Sequence, residues 1–125
     1  MNKLEMKAIT MYWCEGTKIG RTVDFTNTDL DMLKIWISYL RSRKDIEPKR
    51  IKIQVMTYPD ADVTETKKFW SRKLGIPLEQ FNQVFVKSTK SAGTYKNKKN
   101  MGTVKIRYNS KKLMEDIVRK IDALK

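Results

Sequence analysis

The sequence predicts a single α+β domain over residues 1–125, a mostly antiparallel sheet with helices on one face. Three observations predict it. The chain has 125 residues, 40% of them apolar, enough for one modest core. Helical spacing and strand alternation are interleaved in the order α-β-α-β-α-β-β-α. No internal repeat or linker divides the chain.

Leu4 to Cys14 reads as a helix. Leu4, Ala8, Met11 and Trp13 give a rough helical period with apolar residues on more than one side, which predicts burial on several faces. Gly16 ends it as a capping glycine. Ile19 to Phe25 is a short strand, Val23 and Phe25 alternating with Thr22 and Asp24. Asn27-Thr28-Asp29 opens the next helix, predicted over 29–42, with Thr28 and Asp31 at capping-box spacing. Its stripe is Leu30, Leu33, Ile37 and Leu40, widened by Met32 and Trp36. A polar connection containing Pro48 follows. Ile51, Ile53 and Val55 then alternate with Lys52, Gln54 and Met56 in a half-buried strand that Pro59-Asp60 breaks. Asp62, with Glu65 three residues on, opens a helix lined by Val63, Phe69, Trp70 and Leu74, and Gly75 and Pro77 stop it. Leu78 to Phe81 is a short helical turn. Val84 and Val86 mark one further strand, and Val104, Ile106 and Tyr108 mark another. Between them runs a loop, Ser88 to Gly102, of a length that is usually functional or disordered. The last helix begins near Ser110 and carries Leu113, Ile117, Ile121 and Leu124.

Composition excludes several functions. No run approaches eighteen apolar residues, so no membrane span is expected. The start, MNKLEMKAIT, does not read as a secretory signal, and the expected location is cytoplasmic, on the nucleoid when bound to DNA. One cysteine, Cys14, rules out an internal disulfide framework. With no histidine, zinc sites of histidine and thiolate and histidine-based triads are excluded. Any catalysis uses carboxylates, Lys, Tyr, Ser, Thr or bound hard metals.

The net charge is +13, and a small domain this basic usually meets a polyanion. Lys87, Lys90, Lys96, Lys98, Lys99, Lys105, Arg107, Lys111 and Lys112 fall in one block that contains no Asp or Glu. A solvated face normally mixes signs, whereas a block of one sign looks like an electrostatic footprint. Alternation also leaves one sheet face polar, with Lys52, Gln54, Lys105 and Arg107 on it. Such a face can lie along nucleic acid and read it. The candidate DNA contacts are therefore Lys52, Gln54, Lys87, Lys90, Lys96, Lys98, Lys99, Lys105 and Arg107.

Residues Ala8 to Gly16 read Ala-Ile-Thr-Met-Tyr-Trp-Cys-Glu-Gly. Thr10 and Cys14 are small and four residues apart, a spacing that lets two helix backbones approach closely. Glu15 puts a carboxylate at a helix C-terminus, where the dipole disfavours it by a few tenths to about 1 kcal/mol. Either Glu15 is simply solvated beside a capping glycine, or a divalent cation there reverses the sign of the interaction.

The segment resembles the nine-residue motif of LAGLIDADG homing endonucleases, which ends in an acid and a glycine. The string Tyr12-Trp13-Cys14-Glu15-Gly16-Thr17-Lys18 is similar to a branch of small LAGLIDADG-like proteins with a Tyr-Trp-x-Glu-Gly-x-Lys pattern. Asn27-Thr28-Asp29, Phe69-Trp70-Ser71, Gly75-Ile76-Pro77 and the stretch Gly102 to Arg107 extend the resemblance over most of the chain. The hairpin that follows the motif in that family is shortened here to Ile19–Phe25. The resemblance implies a LAGLIDADG-like fold with one motif per protomer. It implies a homodimer joined through the motif helix, with Ala8, Thr10, Met11 and Cys14 at the contact. It implies that Glu15 from each copy binds Mg2+ or Mn2+ and that the dimer cleaves a specific double-stranded DNA site. Lys18 and Lys105 are the candidates for the basic residue beside the reacting phosphate. The alternative is a sequence-specific DNA-binding regulator on the same scaffold that does not cut. A role on RNA is the less favoured choice.

Overall fold

The computed structural model describes residues 1–87 and 101–125 and places the elements in the predicted order. Helix α1 spans Lys3–Glu15 and strand β1 Thr22–Asn27; helix α2 spans Leu30–Ser42 and strand β2 Lys52–Thr57. Helix α3 covers Val63–Leu74, strand β3 Phe85–Val86, strand β4 Thr103–Asn109 and helix α4 Lys111–Leu124. Single 3-10 turns at Pro48–Arg50 and Leu78–Gln80 lead into and away from this framework.

The architecture is α+β, with four helices and a mixed four-stranded sheet in the order β1-β4-β2-β3 among the described residues. Strand β4 lies inside, antiparallel to β1 from Thr22↔Asn109 to Asn27↔Val104 and to β2 from Lys52↔Arg107 to Met56↔Thr103. Two of the three pairings are thus antiparallel, as predicted, and the third is not. Strand β3 runs parallel to β2, because the chain leaves β2 and crosses back through α3 before pairing again. Alternation cannot report this, since it is the same in either orientation.

Val23, Phe25, Ile53, Val55, Val104, Ile106 and Tyr108 project to one side of the sheet and are buried beneath the helices. Trp36 of α2 sits at the centre of the core. Its indole stacks on Tyr12 at 4.9 Å and on Phe25 at 5.5 Å, with Tyr39 tilted against it at 5.3 Å between ring centroids. Each such pair adds about 0.5–1.5 kcal/mol beyond the area it buries. The Trp36 indole N–H has no acceptor among the described residues, while the Trp70 indole donates to the Met101 carbonyl at 2.8 Å. Around the helices some of the acids are paired. Arg43 bonds Asp45, Asp116 and the Tyr39 hydroxyl, and Lys120 joins Glu5 to Asp116.

Local chemistry adjusts four expectations. Helix α1 buries one face, not several: Ala8, Ile9 and Tyr12 point inward, while Met6, Thr10, Trp13 and Cys14 face out. Gly16 has an ordinary extended backbone, φ −93°, so it is not a left-handed cap. Glycine suits the position for another reason, because a Cβ there would fall on the Tyr12 ring. The turn after it takes Gly20 to φ +90° and leaves Ile19 90% exposed, so β1 starts at Thr22 and not at Ile19. Helix α2 is capped by Asp29, one residue beyond Thr28. Asn27 Oδ1 accepts the N–H groups of Thr28 and Asp29, and Asp29 accepts that of Met32. Asp62 and Ser110 cap α3 and α4 at the positions the sequence marks.

Candidate nucleic-acid interface

The side of the sheet opposite the core carries Thr22, Asp24 and Thr26 from β1, Lys52, Gln54 and Met56 from β2, and Thr103, Lys105 and Arg107 from β4. Register places Lys52 opposite Arg107 and Gln54 opposite Lys105. The four residues predicted to share a polar face therefore do share one. Like charges on directly opposed positions repel, and the neighbouring strand supplies the compensation. Asp24, opposite Arg107 on β1, accepts from Arg107 Nε and Nη2, both at 2.9 Å. Asp24 is only 7% exposed and is the one acid among these strand positions. Arg107 is therefore an anchored guanidinium and not a free cation.

At the end of this face Lys49, Arg50, Lys52, Arg107 and Asn109 line a cleft of about 210 Å³. Arg50 is fixed in it, donating to the Asn109 carbonyl at 2.7 Å with its guanidinium 4.8 Å from the Tyr108 ring centroid. Lys49 and Lys52 are exposed and make no ion pair among the described residues. Gln54 spends one amide proton on the Gln83 carbonyl, which ties β2 to the segment before β3. Lys87 is exposed, with its backbone N–H on the Thr57 carbonyl at 2.8 Å. Lys90, Lys96, Lys98 and Lys99, and the loop that holds them, lie outside the described residues.

Sequence reasoning missed Asp24, Lys49 and Arg50. Asp24 left a signal: an acid between Val23 and Phe25 in a strand, where Asp is depleted, calls for a cation on a neighbouring strand. Lys49 and Arg50 left none, because a 3-10 turn, not a strand, carries them to the face.

The end of α1 lies at the outer edge of β1. Gly16 pairs with Phe25 in an isolated bridge, and the Thr17 N–H bonds to the Asp24 carbonyl at 3.2 Å, so the segment after α1 lies along the edge of β1. Glu15 is exposed as the last helical residue. Lys18 folds back and donates to the Gly16 carbonyl at 2.8 Å, so the negative end of the helix already meets an ammonium. The structure thus brings Lys18 to the helix end that bears Glu15. It does not bring Lys105 there. Gly16 faces Phe25, which faces Ile106, so two strand spacings, about 10 Å, separate that edge from β4.

Among the described residues no three His, Cys, Asp or Glu side chains gather closely enough to hold a metal ion. One protomer offers Glu15 alone, so these donors fit a divalent metal only as one half of a site shared between two copies. Of the predicted dimer contacts, Thr10 and Cys14 are exposed and Met11 is half-buried. Ala8 is fully buried in its own chain's core and has no surface for a partner, which removes it from that set.

The fold and this face define a basic α+β domain with an open, polar sheet surface. No family model, no curated protein and no solved structure matches this chain. No helix among the described residues is long and apolar enough to cross a membrane.

Proposed function

We propose that this chain binds double-stranded DNA through the open face of its sheet, and that it acts as a homodimer of the LAGLIDADG type which cleaves its site with Mg2+ or Mn2+. The observation that carries the reading is the arrangement of the polar face. Lys52, Lys105 and the cleft residues Lys49 and Arg50 stand on one surface, and the one acid among its described strand positions, Asp24, is already bound to Arg107. Ammonium groups there exchange condensed counterions for phosphates, and the +13 charge steers the encounter. Gln54 keeps an amide N–H and its carbonyl oxygen for base edges.

The support for cleavage is Glu15 at the end of a helix whose outer side, Thr10 and Cys14, is free to meet a second copy. A bound divalent metal supplies an activated water and neutralises charge on the leaving oxygen. Glu15 holds its share of the metal, and Lys18 sets the positive potential beside it. The second reading, a DNA binder that does not cut, is favoured by that same Lys18, which sits on the Gly16 carbonyl where a cation would otherwise be attracted.

A DNA library incubated with Mg2+ or Mn2+, with and without chelator, decides between them when wild type is compared with Glu15→Gln. The expected result is metal-dependent cutting by wild type alone, with DNA affinity in chelator unchanged or improved in the variant. Cleavage by both removes Glu15 from the mechanism, and cleavage by neither leaves the DNA binder. Light scattering should give a dimer for wild type and a monomer for Thr10→Arg. A monomeric wild type at micromolar concentration would refute the shared site.

A further inference from the structure

Phe85 stands 55% exposed in β3. It is in register with Met56, on the side of β2 opposite the buried Val55 and Thr57, so its ring lies on the open face of the sheet. A phenyl group normally contributes a large buried area to a core, and Val84 next to it is buried. Among the described residues, nothing in the fold uses the ring of Phe85. From Met56 the same face runs to the Gln54–Lys105 pair and then to the Lys52–Arg107 pair with its cationic cleft. Met56 and Lys52 are four residues apart, about 13 Å along the strand. The face thus presents, in order, an aromatic ring, an amide with an ammonium, and the basic cleft.

We propose that this row binds an unpaired nucleotide, with Phe85 stacking on the base, Gln54 and Lys105 reaching its edge, and the cleft of Lys49, Arg50 and Lys52 holding a backbone phosphate. The inference rests on the reading of the open face as a nucleic-acid surface and specifies the substrate further. An intact duplex shows base edges and phosphates but keeps its base faces stacked, so it offers an exposed ring no partner. Single-stranded DNA or single-stranded RNA offers a π-face. The Gln54 amide, with one N–H on Gln83, retains one donor and one acceptor for a base edge.

The test is fluorescence anisotropy with labelled single-stranded DNA, RNA of the same sequence and the matching duplex, on wild type, Phe85→Leu and Phe85→Tyr. Phe85 is exposed on an edge strand, so the variants should keep the melting temperature of wild type. Loss of stacking should weaken single-strand binding at least about fivefold in Phe85→Leu. Phe85→Tyr should restore it, and duplex affinity and the salt slope should stay as in wild type. Whichever single strand binds more tightly identifies the source of the unpaired base. Single-strand affinity unchanged in Phe85→Leu, with duplex binding intact, overturns the stacking role alone. Duplex binding by wild type with no single-strand binding overturns it as well. Failure of wild type to bind any of the three overturns the open-face reading and this inference with it.

Discussion

Replacing Asp24 with asparagine should move stability and nucleic-acid affinity in opposite directions. The carboxylate accepts two hydrogen bonds from Arg107, both at 2.9 Å, with its side chain 9% exposed against 42% for the guanidinium. A fully buried pair that loses one partner costs about 3–5 kcal/mol. Arg107 keeps much of its hydration and the new amide keeps one acceptor, so about 1–2 kcal/mol is expected here, the scale of a single hydrogen bond to a charged group. For a domain of this size that lowers Tm by about 3–10 °C. Meanwhile the guanidinium loses its counter-charge on a face that already carries Lys52 directly opposite. If it then takes a DNA phosphate, the salt slope steepens by about 0.9 and affinity at 0.1 M salt rises up to about eightfold. Urea unfolding and anisotropy titrations across a salt series measure both. A variant that is less stable but binds no better would show that Arg107 does not face the nucleic acid. Unchanged stability would show that the ion pair does not hold β1 to β4.

Gly16→Ala should destabilise by about 1–3 kcal/mol, because the new methyl would overlap the Tyr12 ring that Trp36 pins from behind. At an extended glycine with open space the same change would stabilise by about 0.4–1 kcal/mol, so the sign of the shift in urea midpoint decides the point. Burial alone would raise the Asp116 carboxyl, but hydrogen bonds from Lys120 and Arg43 outweigh it and hold it below its ordinary value of 3.8. A depressed carboxyl stabilises the fold above that ordinary value, and the contribution is lost as pH falls through the native one. Asp116→Asn should therefore cost about 2–3 kcal/mol at neutral pH by leaving Arg43 and Lys120 partly unpaired. It should also flatten the fall in stability below about pH 4 in urea titrations at stepped pH.

What was legible in the sequence followed from periodicity. The alternations through Ile51, Ile53 and Val55 and through Val104, Ile106 and Tyr108 predicted two strands and assigned Lys52, Gln54, Lys105 and Arg107 to one face. Asp62 and Ser110 predicted helix starts, because a short polar side chain satisfying the first free N–H groups is a local event. Pairing is not local. Strand β3 running parallel to β2 depends on where α3 delivers the chain, and the Asp24–Arg107 bond joins residues 83 positions apart. Thr28 yielded the cap of α2 to Asp29 because Asn27 Oδ1 binds the Thr28 and Asp29 N–H groups in a turn that starts the helix one residue later, which spacing alone does not settle. At the candidate site the motif helix and its exposed acid were readable from the residues, whereas Lys18 on the Gly16 carbonyl and the distance to Lys105 required the geometry.

The three tryptophans occupy three different settings, which makes the protein a natural set of optical reporters. Trp36 is sealed in the aromatic stack, its indole N–H without an acceptor among the described residues, so its emission should be blue-shifted and its near-ultraviolet ellipticity should follow global unfolding. Trp70 is nearly buried, but its N–H grips the carbonyl of Met101, just beyond the basic loop. Its signal should therefore report on the contact between α3 and the approach to β4. Trp13 is 38% exposed on the outer side of α1. It alone should be readily quenched by acrylamide in a single protomer and shielded in the proposed dimer. With Trp36 and Trp70 each replaced by Phe in turn, the proposed assembly, the α3–β4 contact and global unfolding become separable by wavelength and quenching in one cuvette, without an attached dye.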